Sequence, residues 1–274
     1  MESSEAPGPS LAAPGASDDK KAIVIPSGEV EPGTKDTGIT IGKGAKGTMS
    51  DGIVIGNGAR AEEDFIDGSN NTNISGASIA IGRNANGNGD HAVSIGVNAQ
   101  GMGGNSVALG DTAAANGKSS IAIGQKFTSG GSYKEHATIS LGMESTSRGT
   151  GSIVIGRRAF VGFVPDEKDT TASNRDAIVA GAMAIGNNSV ASGANSLALG
   201  AEARTYAAAT QSVAIGYQAS NKATGNIAIG KQATNANIKG ANNIAVGSNA
   251  MNYGYNSIVI GDNAVGGFDE APVH

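Results

Sequence analysis

One short phrase recurs along this chain of 274 residues and limits its possible folds more than any other feature. It consists of an aliphatic residue, a variable residue, a second aliphatic residue and a glycine, as in residues 107–110 and again in residues 121–124. Fourteen copies end at Gly42, Gly56, Gly82, Gly96, Gly110, Gly124, Gly142, Gly156, Gly186, Gly200, Gly216, Gly230, Gly247 and Gly261. Eight of the thirteen spacings are 14 residues, and the others are 26, 18, 30, 16 and 17. Such a period predicts a repeat protein in which each period forms one structural unit.

The residues around the glycine predict two strands in each period. Large aliphatic residues stand one and three positions before every glycine, which indicates a β-strand with one buried face. The position between them is Ala in eight copies and Thr, Ser or Val in the rest, so the second face is also covered. Eleven copies carry Ala three positions after the glycine, which indicates a second, thinner strand. Two strands and two tight turns use 14 residues, so each repeat should close one coil of an all-β, parallel β-roll solenoid.

Composition agrees with a thin, repetitive structure. The chain has 43 glycines, no cysteine, no tryptophan and 4% aromatic residues, which disfavours a globular core built from large side chains. Its net charge of −5, with no basic block, disfavours nucleic acid or an anionic membrane as a partner. Residues 1–21 are interpreted as a flexible leader with no secretory signal, residues 22–265 as the β-roll, and residues 266–274 as a tail. Ile23 to Ile25, followed by Pro26, is interpreted as a degenerate fifteenth copy.

The small residues of the first strand predict self-association. In this interpretation the large aliphatic residues fill the roll, and the residue between them faces outward. Two buried aliphatic side chains per coil offset only part of the entropy lost by ordering 14 residues, so further burial is needed. We therefore expect an obligate homo-oligomer packed through the small-residue face. The candidate interface residues are Ala80, Ala108, Ala122, Ala184, Ala198, Ala214, Ala228 and Ala245.

The repeated phrases resemble the head repeats of trimeric autotransporter adhesins, close to the Yersinia type. The resemblance is carried by NSVALG (105–110), NSLALG (195–200), QSVAIG (211–216) and NSIVIG (256–261), and it extends over about residues 36 to 265. It implies a left-handed roll assembled as a homotrimer on a bacterial cell surface, with an outer-membrane anchor elsewhere in the full protein. This chain would then be an excised head. The implied activity is non-catalytic attachment to host matrix proteins such as collagen, to cells or to other surfaces.

The longer spacings predict loops inserted into the roll at about residues 60–74, 125–137 and 160–177. Insertions in solenoids often emerge on the side that binds a partner. The large apolar residues of the two longest insertions are therefore candidate partner contacts, although the favoured interpretation is that they hold their own loops against the roll or against a neighbouring chain. They are Phe65, Ile66, Phe160, Phe163 and Val164. The acidic groups at 62–64 and 166–167 alternate with basic residues, which favours solvated loop charge over a metal site.

No residue pattern indicates catalysis, a cofactor or a metal centre. Hexapeptide-repeat acyltransferases also form β-helices from aliphatic and glycine phrases, but their shorter period differs from this one. They usually need a catalytic histidine. His91 occupies a turn position that holds Asn, Ser, Gly or Ala in other copies, and His136 has no nucleophile signature beside it. The alternative that the sequence leaves open is another fibrous attachment protein, such as a trimeric phage tail fibre.

Overall fold

The computed structural model describes residues 23–24, 38–47, 51–62, 77–126, 128–129, 137–162 and 179–267. These residues form an all-β, parallel β-solenoid with coils of about 14 residues, and none of them is helical. The predicted fold class is confirmed in this respect. Each coil contributes one strand to each of two sheets, which face each other across a narrow interior.

The first sheet has 15 parallel strands and contains every aliphatic phrase. Its strands are β1 (Ile23–Val24), β2 (Ile39–Ile41), β4 (Ile53–Ile55), β6 (Ile79–Ile81), β7 (Val93–Ile95), β9 (Val107–Leu109), β11 (Ile121–Ile123), β13 (Ile139–Leu141), β15 (Ile153–Ile155), β17 (Met183–Ile185), β19 (Leu197–Leu199), β21 (Val213–Ile215), β23 (Ile227–Ile229), β25 (Ile244–Val246) and β27 (Ile258–Ile260). Pairing keeps equivalent residues opposite each other, as in Ile121 opposite Val107. Ile23 likewise pairs with Ile39, so the degenerate fifteenth copy, which comes first in the chain, also forms a strand of this sheet.

The second sheet is built from two-residue strands that follow the first strands in the chain. Its strands are β3 (Lys46–Gly47), β5 (Arg60–Ala61), β8 (Gln100–Gly101), β10 (Ala114–Ala115), β12 (Thr128–Ser129), β14 (Thr146–Ser147), β16 (Phe160–Val161), β18 (Val190–Ala191), β20 (Arg204–Thr205), β22 (Ser220–Asn221), β24 (Thr234–Asn235), β26 (Met251–Asn252) and β28 (Val265–Gly266). Single bridges at Asn86 join β5 to β8 across the coil that lacks a regular second strand. The second sheet therefore continues along the rod, opposite the first sheet.

The glycine that ends each first strand determines how closely successive coils approach. At Gly200 the backbone has φ +132°, and an added Cβ would lie 2.5 Å from the carbonyl oxygen of Gly216 in the next coil. Equivalent clashes, against the carbonyl of the following repeat glycine, occur at eleven other such glycines between Gly42 and Gly247. A hydrogen bond from the amide three residues later closes the turn, as from Ala203 N to Gly200 O at 3.2 Å. Any side chain here would push the coils apart and break the ladder.

The residue before the turn alanine adopts the left-handed conformation in nearly every coil. Asn84, Asn98, Asn188, Asn249 and Asn263 occupy this position with φ between 54° and 56°. Asparagine tolerates this region better than most residues because its short polar side chain bonds locally. The frequent Gly-x-Asn-Ala order of the sequence therefore reflects the backbone conformation that this turn requires.

The interior of the roll is lined by small residues, which reverses the predicted faces of the first strand. The middle residue of each three-residue strand points inward and is buried, and the two flanking aliphatic residues point outward and are half-buried or exposed. The prediction that the middle alanines form an intersubunit interface is wrong, because they have no exposed surface in the single chain. They are Ala80, Ala108, Ala122, Ala184, Ala198, Ala214, Ala228 and Ala245.

The physical reason is the thickness of the roll. A methyl group placed on Gly101 of the second sheet would lie 2.6 Å from Ser94 Oγ and 3.3 Å from both Ala92 Cβ and Ser106 Oγ. Even alanine is too large at that position, so isoleucine and leucine have no room inside a coil. The interior accepts Ala, Ser, Thr, Gly, Val and Asn, and the large aliphatic residues are left outside.

The close approach of the glycines that end the first strands can be tested with a matched control substitution. Gly200→Ala should lower the free energy of unfolding by ~3 kcal/mol or more, because the methyl group clashes with the backbone of the next coil. Gly151→Ala introduces the same methyl group at φ +66° with no atom within 4 Å, and should cost only ~1 kcal/mol. Urea unfolding followed by circular dichroism measures both. Equal losses would show that backbone conformation, and not coil spacing, sets the requirement for glycine.

Candidate adhesion surfaces

The outer face of the first sheet is a continuous aliphatic surface. Each strand of the first sheet from β2 to β27 presents two large apolar side chains outward, and equivalent positions lie in register from coil to coil. Ile95, Ile123, Ile155, Leu199 and Ile229 are each 37% to 39% exposed in the single chain. No charged residue interrupts this face in the three-residue strands of the first sheet. A soluble monomer rarely exposes an apolar surface that runs along its whole length, so this face is a candidate interaction surface.

The outer face of the second sheet has a different character. It carries polar, basic and aromatic side chains, and its composition changes from coil to coil. The guanidinium carbon of Arg148 lies 5.9 Å from the ring centre of Phe160. Two cations lie near Tyr206, with Arg204 at 5.4 Å and Lys222 at 5.9 Å from the ring centre. Contacts of this kind hold long side chains in place over an aromatic ring.

The turns after the first strands carry polar ladders along one edge of the rod. Asn84 donates to Asn98 at 3.2 Å, and Asn249 donates to Asn263 at 3.0 Å. Arg158 donates a hydrogen bond to the carboxylate of Glu144 in the preceding coil. That bond and the positive charge of Arg158 lower the pKa of Glu144 from its ordinary value. These contacts are solvent-exposed and link neighbouring coils only modestly.

All five insertions leave the roll at the same turn. The chain from each first strand to the following second strand keeps its length, and every extra residue falls between a second strand and the next first strand. The predicted loop boundaries began too early, because residues 60–61, 128–129 and 160–161 are regular strands of the second sheet. The insertions therefore share one edge of the rod, away from the tightly stacked glycines.

Comparison with known proteins identifies the repeat. The family model of the YadA head domain repeat matches residues 77–99, 103–126, 180–203 and 204–219. These four segments are similar to YadA head domain repeats. The resemblance to a trimeric autotransporter adhesin head that the phrases indicate is thereby confirmed. Among solved structures, the collagen-binding domain of the Yersinia adhesin YadA matches with 23% identity and a TM-score of 0.41, over 59% of this chain and 73% of that one. No curated protein matches the sequence.

The partner contacts predicted from sequence fall largely outside the described residues. Phe65, Ile66, Phe163 and Val164 all lie there. Phe160 is described and belongs to β16, where its ring is half-buried beside Arg148 on the outer face of the second sheet. Phe160 is therefore a surface residue of the head repeats themselves and not of an insertion.

The residues weighed for catalysis or metal binding form no site in the described part of the chain. His91 is an exposed turn residue with φ 54°, and its Nδ1 lies 3.1 Å from a carboxylate oxygen of Asp90. Glu62 lies 3.4 Å from Arg60. His136 and the acidic group 166–167 lie outside the described residues. Within those residues, no group of three or more His, Asp or Glu side chains could hold a metal ion, and no helix could cross a membrane.

An internal asparagine network is the main feature that sequence reasoning missed. Asn235 Nδ2 donates to Asn221 Oδ1 at 2.7 Å and to the carbonyl of Ile227 at 2.9 Å, inside the roll. Asn252 continues the line in the next coil by bonding the carbonyls of Ile244 and Ser257. The signal was available, because asparagine recurs five residues after three consecutive repeat glycines. In the C-terminal coils hydrogen-bonded asparagines thus take the place of apolar interior side chains, and only the Oδ1 of Asn235 lacks a partner within this network among the described residues.

The inward orientation of the middle alanines in the first strands can be tested by substitution. Ala122→Asp should prevent folding of the surrounding coils, at a cost above ~4 kcal/mol, because the carboxylate would be buried inside the roll without a partner. Ala114→Asp makes the same substitution on the outer face of the second sheet and should leave the β-structure intact. Far-ultraviolet circular dichroism and the yield of soluble protein measure the difference. Normal folding of Ala122→Asp would contradict the inward orientation.

Proposed function

We propose that this chain is the head of a bacterial surface adhesin that works as a homotrimer. The outer face of the first sheet supports this proposal most directly, because it displays two aliphatic side chains per coil without interruption. Packing three copies of this face around one axis would bury an apolar core along the whole rod. The proposal includes the left-handed coil and the outer-membrane anchoring that the resemblance implies.

The proposed activity is non-catalytic attachment. A host matrix protein such as collagen is the proposed partner, and other molecules of cell surfaces are further candidates. The YadA head domain repeats support this choice, and so does the geometry of the rod. A surface that repeats in every coil and in each of three chains can hold a repetitive partner through many weak contacts, which multiply into high avidity. A phage tail fibre would share the self-association but is not suggested by the head repeats.

Self-association is tested by mass in solution. Light scattering on a size-exclusion column, across a dilution series, should give three times the chain mass at every concentration. The double variant Ile123→Glu and Ile155→Glu places carboxylates on the aliphatic face and should dissociate the trimer, because each burial site would hold three like charges.

The control for that experiment adds the same charge to the other sheet. Ala114→Glu and Thr146→Glu lie on the outer face of the second sheet and should remain trimeric. Wild-type protein that is monomeric at all concentrations would disprove the proposed assembly. A double variant on the aliphatic face that is still trimeric would disprove the proposed interface.

Attachment is tested on collagen-coated sensors. Wild-type protein should bind collagen above an albumin-coated reference, and the dissociated double variant should bind at least ~100-fold more weakly because it loses multivalency. The trimeric control variant should bind like wild type. Absence of collagen binding by an intact trimer would remove collagen as the partner. Equal binding by trimer and monomer would show that attachment does not depend on assembly.

A further inference from the structure

One line of side chains on the outer face of the second sheet stands apart from the rest of that face. The residue that follows each second strand is in register through the ladder, as shown by Arg148 N donating to Val161 O at 2.9 Å and Ser192 N donating to Thr205 O at 2.9 Å. In five consecutive coils, β14 to β22, these residues are Arg148, Gly162, Ser192, Tyr206 and Lys222. We call these positions, with Phe160 and Arg204 beside them, the 148–222 track.

The two aromatic rings lie in this line. The ring of Phe160 turns over Gly162, since a methyl group on that glycine would approach the ring Cζ at 2.7 Å. Arg148 lies 5.9 Å from the centre of that ring, and Arg204 and Lys222 lie 5.4 Å and 5.9 Å from the centre of the Tyr206 ring. Along the rod the track therefore reads cation, ring, serine, ring, cation. Gly162 has no side chain, and Ser192 between the rings is buried, with no hydrogen-bond partner for its hydroxyl among the described residues.

The spacing of the track suits an extended chain. Adjacent strands in a sheet are about 4.8 Å apart, so the two rings are separated by roughly 10 Å and the Arg148 and Lys222 positions by roughly 19 Å. A ligand that touches both rings and the terminal cations must be long, narrow and parallel to the rod axis. Alternate sugar units of an extended polysaccharide fit the interval between the rings, and the apolar C–H face of a sugar ring packs on an aromatic ring.

The charge of the track is unbalanced. The outer face of the second sheet carries no carboxylate on the described residues from β14 to β26. Arg148, Arg204 and Lys222 form no ion pair with any other described residue, whereas the whole chain has a net charge of −5. Three neighbouring cations without an ion-pair partner among the described residues, on a chain of negative net charge, complement a partner with regularly spaced negative groups.

We propose that the 148–222 track binds an anionic polysaccharide carrying sulfate or carboxylate groups. Sugar rings lie on Phe160 and Tyr206, and the acidic groups meet the three cations. The density of charge favours a polysaccharide over a nucleic acid, whose strands carry one phosphate every ~3.4 Å. Three cations over roughly 19 Å match a sparser polymer, and a dense polyphosphate would be repelled by the acidic remainder of the chain.

This inference rests on the proposed function in one respect. The second sheet must stay open when the chains assemble, as it does if they pack through the first sheet. Solution mass is therefore recorded for every variant in the binding experiment. Loss of binding in a protein that is still trimeric concerns the track alone. A failure to bind collagen, measured separately, concerns only the proposed matrix partner.

The experiment measures binding of a fluorescent hyaluronan decasaccharide, which carries one carboxylate per disaccharide, by anisotropy at low ionic strength. Wild type should bind, and the triple variant Arg148→Gln, Arg204→Gln and Lys222→Gln should bind about tenfold more weakly or worse. Tyr206→Leu keeps all three charges and should bind several-fold more weakly, because it removes one ring. A matched control, Arg83→Gln, Lys118→Gln and Lys231→Gln, removes three cations from exposed turns and should bind within about twofold of wild type.

Three results would overturn the proposal. The first is no binding of the hyaluronan decasaccharide by the wild-type trimer. The second is an equal loss in the track variant and the matched control, which would show attraction to net charge only. The third is equal affinity for a single-stranded oligonucleotide of the same charge, with the same loss in the track variant, which would make the track a general polyanion surface.

Discussion

The close approach of glycine backbones in successive coils is the constraint on which the rest of the structure depends. Since no Cβ fits at these positions, each first strand must end at the same point in every coil. The turn that follows keeps its length for the same reason, because an extra residue there would shift the stack. All variation in coil length falls at the opposite turn, where close glycine contacts also occur, as at Gly103 and Gly193, but not in every coil, since Ala209 follows Gly193 at this position. The turn that is fixed in every coil thus explains the regular period, and the more variable turn explains the common edge of the insertions.

The thin interior reverses the usual placement of side chains in a globular domain, because small residues lie inside and large aliphatic residues lie on the surface. A typical strand buries its largest side chains within its own domain, but here the interior accepts little more than alanine, serine and asparagine. The isoleucine and leucine residues therefore lie on the surface, where a single chain cannot bury them. Their exposure carries a cost in water that another copy of the chain can remove. The proposed self-association is in this sense a direct result of close coil packing.

The period, the two strands and their register could be predicted from sequence, because each depends on spacing alone. The direction of the first strand could not, because alternation shows that a strand has two different faces without showing which one faces inward. The abundance of small residues in both strands was the available clue, since two opposed alanine layers leave no space for isoleucine. The 148–222 track was also out of reach. Its residues are separated in sequence by insertions and come into line only once each insertion is assigned to its turn.

The two outer faces differ because different constraints act on them. The first sheet repeats nearly the same pair of side chains in every coil, as a surface must if it is to pack against copies of itself along its length. The outward positions of the second sheet do not have to fit the narrow interior, so Arg204, Ser220, Thr234 and Met251 can follow one another in adjacent strands. A face that repeats the same side chains suits packing against copies of the chain, whereas a face with varied side chains suits recognition of a different partner. A rod of this design can therefore change its ligand by substitutions on one sheet while the stacked glycines and the aliphatic face keep its shape and association unchanged.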